Sequence, residues 1–204
     1  DINDNIMGTL FVDKLDPQSG TSLELGSSGD TITIPSGATI ANSGTATGFG
    51  GNNAPSFRAY MSATQSIATA TLTVLAFNND SGTTGGVKAY DTDNAFDTST
   101  YRFTPQTAGY YYAWLYCGLQ DLTDGKVYLL NLAKNGASDG DKFSQISFPM
   151  GATKNVYGHT AGVVYLNGSS DYIQALMRHT NGSNRTTADT YNTGFGAWKL
   201  NGVS

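Results

Sequence analysis

The segment from Pro105 to Cys117 constrains the fold more than any other part of the chain. Proline cannot donate a backbone hydrogen bond and fixes φ, whereas Gly109 permits turn conformations that other residues resist. The segment is therefore predicted to turn a corner and enter a strand, in which alternate residues point to opposite faces. One face would carry Tyr111, Ala113, Leu115 and Cys117, and the other Tyr110, Tyr112, Trp114 and Tyr116.

Both faces of this strand are apolar or aromatic, so the strand needs two burial partners. The protein's own core supplies one, and a neighbouring subunit is the economical choice for the other. We therefore predict that four aromatic residues lie in a subunit interface: Tyr110, Tyr112, Trp114 and Tyr116. The alternative is a half-exposed sheet that carries the tyrosine hydroxyls in water.

Composition favours an all-β chain and excludes several classes of function. Glu24 is the only glutamate in 204 residues, and charged residues make up 13% of the chain. The net charge of −5 and the absence of a Lys/Arg cluster argue against nucleic acid as a partner. Cys117 is the only cysteine, so no intrachain disulfide forms, and a buried free thiol is expected. No apolar run reaches 18 residues, so membrane insertion is not expected.

Two regions of the chain differ in the length and spacing of their apolar runs, and the predicted domains are residues 1–53 and 54–204. The first contains short alternating runs closed by Gly or Ser, such as Leu23 with Leu25 and Ile32 with Ile34. The second is predicted to hold about eight strands and no required helix. The predicted strands are Ser56–Met61, Ile67–Phe77, Tyr101–Thr104, Tyr110–Cys117, Val127–Ala133, Phe143–Phe148, Gly162–Leu166, Tyr172–Met177 and Gly194–Leu200.

A ladder of spaced residues runs into the aromatic strand: Asp91, Phe96, Phe103, Gly109 and Tyr111. It resembles the globular head of complement component one-q and its relatives in the tumour necrosis factor jelly-roll superfamily. The family's leading Phe falls here on Gly85, and two later aromatics fall on Ala113 and Leu115. The run from Gly162 to Leu166 and the closing Phe195–Leu200 are also similar to the family's last strands. The resemblance covers residues 55–200 and implies a homotrimeric all-β jelly-roll sandwich.

Residues 1–53 include the low-complexity sequence DTITIPSGATIANSGTATGFGG. This sequence resembles the repetitive segments that precede terminal domains of bacteriophage tail fibres, particularly of phages that infect marine bacteria. It implies a short, β-rich, trimeric stalk. A flexible Gly/Ser/Thr linker is the alternative.

No catalytic or metal-binding constellation fits its context. Residues 136–140 match G-x-S-x-G, but a strand-like alternation follows instead of a helix, so a hairpin loop is predicted there. His159 and His179 lack zinc-site spacing and are predicted to be loop or strand-end polar groups. Asp91–Asn94 begins like a calcium loop but lacks its Gly and Glu, so a turn capped by its own side chains is predicted. We expect no cofactor, no metal and no enzyme activity.

These observations predict the non-enzymatic receptor-binding tip of a phage tail fibre, a homotrimer that recognises a host cell-surface receptor or glycan. A virion location follows from that prediction. A structural trimerising cap and a secreted binding or signalling module of the same fold are the alternatives. Exposed loops at 78–94, 135–142 and 178–192 could bind the ligand. The first candidates are Arg185, Asp189 and Tyr191, because they combine charge with an aromatic ring.

Overall fold

The structure is a computed structural model that describes residues 13–41, 43, 53–84, 86–149, 151–188 and 190–201. The chain divides into two compact units, Asp1–Thr47 and Gly48–Ser204. The predicted domain boundary after residue 53 stays a prediction. Within the described ranges, no helix is long and apolar enough to cross a membrane.

The described part of the first unit, residues 13–41 and 43, contains turns and no strand. Residues 27–30 form one of these turns, in which the Ser27 amide donates to the Asp30 carboxylate at 2.7 Å. The alternating apolar residues of this unit are exposed: Leu23, Leu25, Ile32 and Ile34. A single chain offers these side chains no second copy to pair with, so the trimeric stalk stays a prediction.

The second unit is built from strands, and its described residues include no α-helix. In chain order the strands are β1 (Ser56–Ala59), β2 (Ser66–Ile67), β3 (Thr73–Val74), β4 (Thr83–Thr84), β5 (Val87–Lys88), β6 (Tyr90–Asp91), β7 (Phe96–Asp97), β8 (Arg102–Phe103), β9 (Gly109–Leu122), β10 (Val127–Lys134), β11 (Lys142–Pro149), β12 (Lys154–Leu166), β13 (Ile173–His179), β14 (Arg185–Thr186) and β15 (Gly194–Lys199). Two short 3-10 helices lie at Asp139–Asp141 and Thr190–Asn192.

Two antiparallel sheets form the sandwich. The first has the order β12-β9-β15-β1-β6, and the second has the order β11-β10-β13-β8-β7, with β3 also paired to β13. In the first sheet, the last strand of the unit lies between strands from its beginning and its middle, because β15 pairs with both β1 and β9. This non-sequential pairing is the crossed connectivity of a jelly roll rather than of a simple meander.

An aromatic cluster joins the two sheets. Phe57 of β1 stacks on Phe96 of β7 and Phe103 of β8, with ring centroids 4.6 and 4.5 Å apart, and meets the edge of Phe195 at 4.9 Å. Phe103 in turn meets Tyr111 edge-on at 5.7 Å. The aromatic residues of the sequence ladder are therefore core residues: Phe96 and Phe103 lie on paired strands of the second sheet, and Tyr111 lies in the first.

The apolar run Ile67–Phe77 is not the continuous strand that its sequence predicts. The backbone leaves the extended region at Ala70, where φ is +56°. The Gln65 side chain then replaces a neighbouring strand, since its amide donates to the Val74 carbonyl and accepts from the Ala76 amide, both at 2.9 Å. Only two short strands remain in this part of the chain, β2 at the start of the run and β3 in its middle.

Strand β12 is longer than predicted, since it begins at Lys154 instead of Gly162. Its inward positions include Gly158, where a Cβ atom would lie 2.7 Å from the Tyr128 ring. The glycine admits that ring into the core, and the Tyr128 hydroxyl donates to the Cys117 carbonyl. Because glycine has no side chain, the sequence does not show that Gly158 belongs to the series of alternating inward residues.

Asn131 in β10 gives a prediction about stability. It is 1% exposed, and neither its amide nitrogen nor its amide oxygen has a hydrogen-bond partner in the described part of the chain. A buried polar group without a partner costs about 1–3 kcal/mol. We therefore expect Asn131→Leu to raise the free energy of unfolding by about 1–2 kcal/mol in chemical denaturation. Asn131→Asp is the control and should destabilise the fold, and a destabilising Asn131→Leu would contradict the assignment.

Candidate binding surface

The outer side of the first sheet carries a continuous aromatic surface. It consists of side chains from β9, β12 and β15, which point away from the core, and we call it the aromatic face. Its members are Tyr110, Tyr112, Trp114, Tyr116, Tyr157, Val163, Tyr165 and Trp198. The four residues predicted for an interface therefore lie together on one surface.

Strand register pairs the rings of this face with one another. Tyr110 lies opposite Tyr165 and contacts it edge-on at 5.4 Å. Tyr112 lies opposite Trp198, with ring centroids 4.7 Å apart. Because antiparallel partners are close in space, these cross-strand pairs hold the rings in place before any partner binds.

Trp114 lies flat on the sheet because β15 offers it two glycines. A Cβ atom at Gly194 or Gly196 would lie 2.8 or 2.7 Å from the indole. The Arg58 guanidinium lies over the same ring, 5.9 Å from its centroid, and burial lowers the pKa of Arg58. The two glycines therefore leave room on the sheet for one tryptophan, and the Arg58 cation packs near its ring.

Burial along β9 follows the predicted alternation. Tyr111, Ala113, Leu115 and Cys117 are fully buried, whereas the four outward aromatics are half-buried. On the neighbouring β12, Val163 is 52% exposed and Tyr165 is 47% exposed. The inward face is thus confirmed as core, and the subunit interface on the outward face stays a prediction.

Of the three residues first proposed for a ligand, the structure describes one side chain. Arg185 lies in β14, where its guanidinium donates to the Asp121 carbonyl at 2.8 Å and to the Ser183 hydroxyl at 2.9 Å. These bonds join β14 and the loop before it to the end of β9. Asp189 and the side chain of Tyr191 lie outside the described residues, so the role of this loop stays a prediction.

The G-x-S-x-G segment is part of a hairpin loop, as predicted. It connects β10 to β11, which pair antiparallel. The Ser138 hydroxyl donates to the Asp141 carboxylate at 2.6 Å, and that carboxylate also accepts from the Ser138 amide. The serine therefore stabilises a turn.

The two histidines occupy different environments. His159 lies within β12, so the prediction of a loop or strand end is wrong for it, because β12 is longer than expected. His179 does end β13 and is fully buried, with Nε2 3.0 Å from the Ile67 carbonyl and Nδ1 accepting from the Asn181 amide. Both ring nitrogens thus have backbone partners.

Asp91 caps its own turn, as predicted. Its carboxylate accepts from the Phe96 amide at 2.8 Å and from the Asp93 amide at 3.4 Å. Across the described ranges, no group of three His, Cys, Asp or Glu residues is arranged to hold a metal ion. Gly85, where the family pattern has its leading Phe, lies outside the described residues.

The buried thiol gives a prediction about pH. Burial raises the pKa of Cys117 to about 12, from an ordinary value of 9.0. Above pH 9 the unfolded chain therefore loses a proton that the folded chain retains, so stability present at lower pH declines as pH rises. One proton contributes at most about 1.4 kcal/mol per pH unit.

We expect the free energy of unfolding to fall more steeply between pH 8 and 9.5 in the unmodified protein than in Cys117→Ala. Denaturant titrations at the two pH values measure the difference. The buried Tyr111, whose pKa burial raises to about 12, contributes at higher pH in both proteins. Equal pH slopes in the two proteins would show that the thiol is accessible in the folded state.

Comparison with known proteins defines the fold. No family model matches the chain, and no curated protein sequence matches it. Among solved structures, murine APRIL at pH 5.0 is 13% identical with a TM-score of 0.52, covering 71% of this chain and 98% of the other. Eiger TNF from S. frugiperda is 15% identical with a TM-score of 0.50, covering 73% and 92%. The globular domain of zebrafish complement 1qA is 17% identical with a TM-score of 0.47, covering 72% and 97%.

The second unit is therefore an all-β jelly-roll sandwich. More narrowly, its fold is that of murine APRIL and Eiger TNF, in agreement with the jelly-roll fold that the residue ladder predicts. At these identities the likeness establishes the fold alone.

Proposed function

We propose that the chain is a non-enzymatic, trimeric receptor-binding tip of a phage tail fibre, which acts outside the cell on a host surface ligand. The observation that carries the proposal is the aromatic face, where Tyr112, Trp114 and Val163 form an apolar surface only half-covered in one chain. Large exposed apolar surfaces mark interaction sites in soluble proteins.

The aromatic face suits a second and a third copy of the same chain. A closed threefold assembly joins two different parts of each protomer. The β12 edge, with Val163 and Tyr165, would pack on the Trp198 and Trp114 part of the next copy. Two resemblances support this arrangement: that of the fold to trimeric families, and that of the sequence of residues 1–53 to tail-fibre stalks.

A trimeric tip recognises a surface by avidity. Three equivalent sites on one rigid particle make a weak single-site affinity about 10²–10⁴-fold more effective on a decorated cell. No bond of the ligand needs to be broken for this function.

Saturable binding to cells tests the proposal. The purified chain, labelled with a fluorophore, would be titrated onto a panel of marine bacterial isolates with excess unlabelled chain as competitor. We expect saturable, competed binding to at least one isolate. Absence of such binding across the panel would contradict the proposal and favour a structural cap, whereas saturable binding to animal cells alone would favour a secreted signalling module.

A further inference from the structure

A cavity of about 330 Å³ opens beside strand β6, at the edge of the first sheet. Its walls come from the β4–β5 hairpin region and from the turn that follows β6. The lining residues are Asp80, Ser81, Gly82, Lys88, Ala89, Tyr90, Asp91 and Asn94. We propose that this cavity binds one uncharged sugar ring of a cell-surface glycan. The proposal rests on the receptor-binding function above and names its ligand class and its site.

Hydrogen bonds fix the walls of the cavity before a ligand arrives. The Ala89 amide donates to the Gly82 carbonyl at 2.9 Å, which closes the hairpin wall. The Ser81 amide donates a hydrogen bond to the Asn79 side-chain oxygen at 3.1 Å. On the other side, the bonds that Asp91 accepts from its own turn hold that carboxylate at the cavity wall. A site built in this way loses little conformational entropy on binding.

Among the charged and amide side chains of the cavity, those of Asp80, Lys88 and Asn94 have no hydrogen bond or ion pair to any residue that the structure describes. They supply a carboxylate, an ammonium group and an amide to the same small space. Sugar hydroxyls both donate and accept hydrogen bonds, so this mixture of acceptor and donor groups matches adjacent hydroxyls on one ring.

Tyr90 contributes an aromatic side chain to the proposed site. Tyr90 is 40% exposed and lines the cavity. Its face can cover the apolar C–H side of a sugar ring while the polar groups reach the hydroxyls. Small-molecule sites combine apolar surface with a few polar groups in the same way.

Charge and size narrow the ligand class. Asp80 and Asp91 give two negative charges against the one positive charge of Lys88, so the lining has a net charge of −1. That balance disfavours sialic and uronic acids. Ligand sites in proteins usually have volumes of about 300–1,000 Å³, so this open cavity of about 330 Å³ has room for one sugar ring.

Saturation-transfer NMR on the full chain tests the site with defined probes. The probes are the methyl glycosides of glucose, galactose, mannose and N-acetylglucosamine, with N-acetylneuraminic acid and a lysine-containing peptide as contrasts. We expect transfer to at least one neutral glycoside, and a loss of affinity of about tenfold or more in Asp80→Ala. Asp124→Ala, an exposed carboxylate outside the cavity, is the matched control and should bind as the unmodified chain does.

Asp80→Ala should fold normally, because its side chain has no partner in the described structure, and a thermal melt checks this. Lys88→Ala is the second variant and should also weaken binding. Transfer to N-acetylneuraminic acid or the peptide alone would overturn the neutral-sugar proposal. So would the absence of transfer to every neutral glycoside, or transfer that is unchanged in both variants.

The cell-binding assay separates this proposal from the proposed function. If the unmodified protein binds cells and Asp80→Ala binds them equally, the cavity proposal fails while the receptor-binding function stands. If neutral glycosides bind in the cavity but no cell binds the unmodified protein, the function fails while the site stands.

Discussion

Val163→Arg is expected to convert the assembled protein into monomers. Val163 lies on β12 directly opposite Tyr112 and is 52% exposed in the single chain, so the substitution leaves the core untouched. In a trimer the same position would be covered, and an unpaired buried charge costs about 3–5 kcal/mol in each subunit. Light scattering should then report one chain of 21.5 kDa.

Val87→Arg is the matched control for this experiment. Val87 is 47% exposed but lies in β5, outside the aromatic face. We expect it to leave the assembled mass unchanged. If Val163→Arg also leaves the mass unchanged while the unmodified chain is oligomeric, the interface lies elsewhere on the protein.

Phe57→Ala is expected to cause the largest loss of fold stability, about 3–5 kcal/mol. Phe57 is fully buried and packs against Phe96, Phe103 and Phe195. These contacts join β1 of the first sheet to β7 and β8 of the second, so the truncation leaves a cavity between the sheets.

Denaturant unfolding in the Val163→Arg background measures this loss without a contribution from assembly. Phe57→Leu keeps most of the side-chain volume and should cost distinctly less. A loss below about 1 kcal/mol for Phe57→Ala would show that the aromatic cluster does not hold the two sheets together.

The sequence predicts the sandwich best where a period of two is complete. Residues 110–117 alternate without interruption, and the structure buries every second one. The ladder residues Phe96, Phe103 and Tyr111 also meet in the core. Hydrophobic periodicity gives the inward face directly, because burial of that face fixes the register.

The alternating pattern does not predict the structure where a side chain takes the place of a neighbouring strand. It also does not predict the structure where glycine occupies an inward position. Nothing in the apolar run Ile67–Phe77 shows that Gln65 will take the hydrogen bonds of a neighbouring strand. Gly158 and Gly162 in β12 hide an alternation that the structure nevertheless follows. These features depend on contacts between distant parts of the chain, which local periodicity does not record.

The two candidate sites also differ in how far the sequence predicts them. The aromatic face was predictable, because four of its members alternate on one strand. The cavity beside β6 was predictable only as part of the loop 78–94. Its lining brings Asp80, Lys88 and Asn94 together through a hairpin and a capped turn, and no spacing in the sequence indicates that meeting. The charge of Arg185 suggests a ligand contact, whereas in the structure its guanidinium donates to the Asp121 carbonyl at the end of β9 and to the Ser183 hydroxyl.

The mass of the unmodified protein in solution, measured by multi-angle light scattering across a range of concentrations, tests the central claim most directly. If the aromatic face binds two further copies of the chain, as proposed, the expected mass is three times the 21.5 kDa of one chain. A mass of 21.5 kDa at every concentration would contradict the account.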